Sequence, residues 1–77
     1  MELIRMKTHF ENGQMLQTQL EPSGVLRLTL NDPARRNALS EAMMTALGDA
    51  LERANHNTDV RVIILAAVGS VFCSGHD

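Results

Sequence analysis

The run Val62-Ile63-Ile64-Leu65-Ala66-Ala67-Val68 is the strongest constraint on what this chain can fold into. It is apolar throughout, rich in β-branched residues and shows no polar alternation, the pattern of a strand covered on both faces. Such a strand belongs inside a sheet, with neighbours beside it and layers beyond its faces. It is far short of the roughly 20 residues needed to span a bilayer. Directly after it, Phe72-Cys73-Ser74-Gly75-His76-Asp77 places a glycine-containing turn beyond the carboxyl end of a strand, where ligands of open α/β sheets bind.

The preceding residues supply the rest of the sheet. Leu16, Thr18 and Leu20 alternate with Gln17, Gln19 and Glu21, the period of two of a half-buried strand. Pro22-Ser23-Gly24 breaks that run. Val25 to Leu30 then alternates again, with Leu26, Leu28 and Leu30 on one face and Arg27 and Thr29 on the other, so an antiparallel hairpin is expected. Asn31-Asp32-Pro33 closes the second strand, because proline lacks a backbone donor and holds the residue before it extended. Ala34 to Ala38 therefore reads as a loop.

From Leu39 the period changes. Leu39, Ala42, Met43, Ala46, Leu47, Ala50, Leu51 and Ala54 recur at spacings of three and four, an apolar helical stripe. Ser40 suits the N-cap and Glu41 the first turn, Asp49 and Arg53 stand four apart on the polar face, and Asn55 to Asp59 ends the helix. Strand, helix and parallel strand predict a right-handed crossover whose helix covers one sheet face and leaves the other to something else. Met1 to Asn12 has no clean period, and residues 1–14 read as a loose N-terminal arm before an α/β domain over 15–77.

Composition narrows the function. Seven Lys plus Arg against nine Asp plus Glu give a net charge of -2, with no basic run and only 3% aromatic residues, which disfavours nucleic acid and anionic membranes as partners. The single cysteine, Cys73, excludes an internal disulfide and fits a reducing compartment. The N-terminus makes a poor secretory signal, and Glu2 and Glu11 argue against a transit peptide. A soluble, intracellular protein is expected.

Several residues near the C-terminal turn have more than one chemical reading. Ser74, His76 and Asp77 are the residue types of a nucleophilic triad, but triad members must converge with the acid behind the imidazole, which near neighbours rarely do. Cys73 and His76 have the spacing of half a metal site, yet His9 and His56 lie in other segments, and a structural zinc needs four ligands. Cys73 reads as a small buried hydrophobe or a reactive thiol. Gly75 lets the backbone approach a ligand so that following amides can face an oxygen acquiring charge; a plain connecting turn accounts for it equally well. Arg35 and Arg36 read as solvated side chains or as phosphate contacts.

Two stretches together resemble the crotonase family, the enoyl-CoA hydratases and isomerases. These are Asn31-Asp32-Pro33-Ala34-Arg35-Arg36-Asn37-Ala38-Leu39-Ser40 and Gly69-Ser70-Val71-Phe72-Cys73-Ser74-Gly75-His76-Asp77, with the helix and apolar strand between them. The resemblance spans about Leu16 to Asp77. It implies the N-terminal part of a spiral of strand-strand-helix units, usually assembled as trimers or pairs of trimers in the cytoplasm, or in the mitochondrial matrix of a eukaryote. It also implies an acyl-CoA thioester substrate, no separate cofactor, and an oxyanion held between two backbone N–H groups, the first being that of His76.

By the same resemblance, Ser74 and Gly75 lie in the segment gripping adenine and pantetheine, Arg36 and Ala38 in the second CoA-contacting loop, and Asp77 at an acidic position that supports the turn. Position 76 is usually small and here is histidine, which keeps the N–H and narrows the pocket or adds a group titrating at about pH 6.5. Ala67 stands where glycine is frequent. The second donor and the proton-moving carboxylates lie downstream of Asp77 in the family, so the 77 residues alone are expected to be inactive. Hydration of a 2,3-enoyl-CoA is the default reaction and double-bond isomerisation the next. The alternative is a truncated, noncatalytic product that associates with a full-length homologue.

Overall fold

The structure, a computed structural model, describes the backbone of residues 2–6 and 14–75 and the side chains of 14–75. Five strands and helices follow in the order β1 (Glu2–Met6), β2 (Leu16–Leu20), β3 (Val25–Leu30), α1 (Glu41–Asn55) and β4 (Val62–Val68), with a 3-10 turn at Pro33–Arg35. They form a four-stranded sheet in the order β1-β4-β3-β2.

The hairpin is as expected. β2 and β3 pair antiparallel, Leu16 opposite Leu30 and Leu20 opposite Leu26, around the Pro22-Ser23-Gly24 turn. β3 and β4 pair parallel across α1, Leu28 opposite Leu65 and Leu30 opposite Ala67. The helix begins where its cap residue dictates: the Ser40 hydroxyl accepts the Met43 backbone N–H at 3.2 Å, satisfying one of the first-turn donors. His56 follows its last residue, and the Asn57 side chain then accepts the Asp59 N–H at 2.9 Å in a turn.

The core lies between α1 and the sheet. Leu30, Met43 and Ala67 are fully buried at its centre, with Met15, Leu16, Leu39, Leu65, Phe72 and Cys73 packed around them. Each buried leucine or methionine contributes about 1.5–3 kcal/mol through removal of apolar surface from water. Ala42, counted in the helical stripe, is exposed, so the stripe that packs is narrower and centres on Met43 and Ala50.

Three expectations are corrected. The N-terminal stretch read as a loose arm contains β1, which pairs parallel with β4 from Glu2 opposite Ile64 to Met6 opposite Val68. A strand with no period of its own forms there because β4 offers unpaired backbone groups on that edge. Second, β4 is covered on both faces only at its end: Ala66, Ala67 and Val68 are buried, Ile63 to Leu65 are half-buried, and Val62 is 45% exposed. Third, Thr29, placed by alternation on the face opposite Leu28 and Leu30, is buried like them, so the end of β3 is covered on both faces.

Candidate functional site

Parallel β3 and β4 end side by side, so the loops leaving them, Asn31 to Ser40 and Gly69 to Gly75, emerge at one sheet edge. Both segments singled out in the sequence therefore meet in space.

The first loop is built on the backbone of Asp32. Its carbonyl accepts the N–H of Arg35 at 3.1 Å and of Asn37 at 2.8 Å, while the Pro33 carbonyl accepts the Arg36 N–H at 2.9 Å. Pro33 opens the 3-10 turn with its preset backbone angle, where a missing donor costs nothing. The turn ends in two consecutive left-handed residues, Arg36 at φ 55° and Asn37 at φ 54°. Asparagine tolerates this region; for arginine it is sparsely populated and costs of order 1 kcal/mol, held by the surrounding bonds. The Asp32 side chain takes no part in the turn, and its Oδ2 is buried without a hydrogen-bond partner among the described residues.

The second loop leaves β4 at Gly69 and is anchored by Phe72 and Cys73, which pack against the buried Leu30, Met43 and Ala67. Cys73 is half-buried and pairs with no other cysteine, and its Sγ accepts the Gly75 N–H at 3.4 Å. That amide is therefore occupied within its own loop. Gly75 has φ 104°, a conformation that favours glycine, with open space where a Cβ would stand.

Two backbone bridges close the site. The Ser74 N–H donates to the Arg36 carbonyl at 3.0 Å, and the Leu39 N–H donates to the Gly75 carbonyl at 2.9 Å. Arg36 and Ala38 are thereby brought beside Ser74 and Gly75. Arg36 and Ser74 are exposed, and Ala38 and Gly75 are half-buried. The first turn of α1 starts two residues after Leu39, so the positive end of its dipole lies near the same edge. His76 and Asp77 lie outside the described residues.

Sequence reasoning missed Asn37. Its side chain is fully buried; Nδ2 donates to the carbonyls of Val68 at 2.8 Å and Val71 at 2.9 Å, and Oδ1 accepts the Asp32 N–H at 2.8 Å. The available signal was an asparagine closing a proline-initiated turn, a residue suited to left-handed backbone. Among the described residues no group of three or more His, Cys, Asp or Glu side chains could hold a metal ion, and no helix is long and apolar enough to cross a membrane.

The profile of a protein family described as enoyl-CoA hydratase/isomerase matches residues 20–77. The mitochondrial enoyl-CoA hydratase domain-containing protein 3 of Danio rerio is 39% identical over 74 residues, which are 96% of this chain and 25% of that protein. Enoyl-CoA hydratase EchA19 of Mycobacterium tuberculosis is 44% identical over 52 residues, 68% of this chain and 20% of that protein. Among solved structures, an enoyl-CoA hydratase of Mycobacterium smegmatis superposes with a TM-score of 0.81 at 47% identity, covering 83% of this chain and 25% of that one. The chain spans about a quarter of the length of the relatives it matches.

Proposed function

Because the chain belongs to the enoyl-CoA hydratase/isomerase family and has the fold of the crotonase N-terminal part, we propose that it serves an enzyme that binds acyl-CoA thioesters and stabilises a thioester oxyanion with backbone N–H groups. The observation that carries this reading is the pair of bridges, Ser74 to Arg36 and Leu39 to Gly75, which makes one surface from the two CoA-contacting segments.

On that surface Arg36 faces the phosphates of CoA, and Ala38, Ser74 and Gly75 line the path of the adenine and pantetheine. The backbone N–H of His76 is the first oxyanion donor, and Asp77 supports the turn. When water adds to C3 of a 2,3-enoyl-CoA, charge moves onto the thioester oxygen before a proton reaches C2. A donor aimed at that oxygen lowers the barrier by about 2.7–4 kcal/mol. Isomerisation passes through the same dienolate-like charge and uses the same donors. No cofactor is needed beyond the coenzyme A of the substrate. The family carboxylates and the second donor complete the chemistry, in a cytoplasmic or mitochondrial-matrix trimer or hexamer.

Gly75→Pro tests this reading. Proline cannot adopt φ 104° and lacks the N–H that donates to Cys73. Titration with coenzyme A should show binding to the native protein and its loss in the variant, and equal affinity would refute the assignment of this loop. A second reading, a noncatalytic chain that associates with a longer homologue, is favoured by the exposed Val62 on β4. Co-expression with such a homologue and size-exclusion chromatography separate the two readings.

A further inference from the structure

Among the buried polar groups at the site edge, the carboxamide of Asn37 is used completely. Its two N–H bonds go to carbonyls on the segment leaving β4, and its oxygen goes to the amide that begins the loop leaving β3. The residue itself belongs to the loop leaving β3. A single side chain therefore ties the Arg36–Leu39 arm to both ends of the turn from Val68 to Val71. Only a side chain with two donors and one acceptor satisfies this set.

We infer that Asn37 is a positioning residue: its carboxamide sets the spacing between the Arg36–Ala38 and Ser74–Gly75 arms and so preorganises the surface they form. Three features support this beyond ordinary burial. The Val68 and Val71 carbonyls bracket Gly69 and Ser70, the point where the chain leaves the sheet, so the two bonds fix the direction of departure. The Asp32 amide lies at the base of the left-handed pair, so the third bond holds Arg36 in its sparsely populated conformation. Finally, the bridges at Ser74 and Leu39 lie beyond the clasp on both strands of chain, and they form only if the two arms are already at the right separation.

The functional half of the inference rests on the acyl-CoA reading, whereas the structural half does not. Two variants and two measurements keep them apart. Asn37→Gly accepts the left-handed backbone but has no clasp. Asn37→Asp keeps the shape and the acceptor but loses both donors and sets an oxygen against two carbonyls.

Amide hydrogen exchange reads the clasp directly. In both variants the Leu39 and Ser74 amides should lose about tenfold or more protection relative to the amides of β3 and β4. Unchanged protection at those two amides, or an equal loss throughout the sheet, overturns the inference. Coenzyme A titration reads the consequence: binding by the native protein should weaken about tenfold or more in a variant whose strand amides are unaffected. Native-like affinity in a variant with open bridges also overturns it. If the native protein does not bind coenzyme A, the acyl-CoA reading fails, and the exchange result alone decides the role of Asn37.

Discussion

Gly24 closes the hairpin at the end of the sheet opposite the candidate site, and its replacement by alanine separates fold from site. At φ 94° a side chain is strained, and a Cβ there would stand 2.6 Å from Cγ and 2.7 Å from Cδ of Arg61 and 3.0 Å from the Asp59 carbonyl oxygen. The backbone conformation costs about 1–3 kcal/mol. Arg61 can swing aside, but Asp59 is held by main chain, because the Arg61 N–H donates to the Gly24 carbonyl at 2.7 Å and pins β4 to the turn. A total of about 2–4 kcal/mol is expected for Gly24→Ala, since overpacking adds to the strain.

A domain of this size loses about 4–8 °C of melting temperature per kcal/mol, so circular dichroism should show a fall of about 8–32 °C. In the Arg61→Ala background the same change should cost less, and the difference between the two backgrounds isolates the side-chain collision from the backbone strain. Coenzyme A affinity measured well below the transition should be unaltered. A melting temperature within a few degrees of native would refute both the left-handed conformation and the register that places Arg61 over the turn.

Two further outcomes follow from the core and the helix. Leu30→Ala empties the centre of the cluster shared by β3, α1 and the Phe72–Cys73 anchor, and should cost about 2–5 kcal/mol in urea unfolding with the slope of the transition preserved. Gly48→Ala should stabilise by about 0.5–1 kcal/mol in the same assay, because Gly48 lies inside α1 and a Cβ there meets nothing within 4 Å.

The hairpin, α1 and β4 were legible because each has a local signal: alternation broken by Pro22-Ser23-Gly24, spacings of three and four after a capping serine, and an unbroken apolar run. β1 had none. Its pairing is a property of β4's free edge, far away in sequence, and the residues themselves carry no period. Burial of Thr29 was hidden for a related reason, since alternation reports one covered face and says nothing of what covers the second. At the site, the segments holding Arg36 with Ala38 and Ser74 with Gly75 were singled out through the family resemblance, whereas their meeting follows from the parallel pairing of β3 with β4. Asn37 was not legible, because a loop asparagine looks the same whether it faces water or, as here, the carbonyls of Val68 and Val71.

The sheet order also dictates a sequence of assembly. The β2–β3 hairpin closes a turn of four residues from Glu21 to Gly24, and its entropy of closure is small. β4 can join β3 only after α1 has been made, and β1, though synthesised well before β4, must wait for it, since its Glu2 sits opposite Ile64. Nonlocal parallel pairing of this kind is slow relative to hairpin closure. Pairing of β4 with β3 and β1, and with it the alignment of the β4 end that delivers Gly75, is consequently expected after hairpin closure.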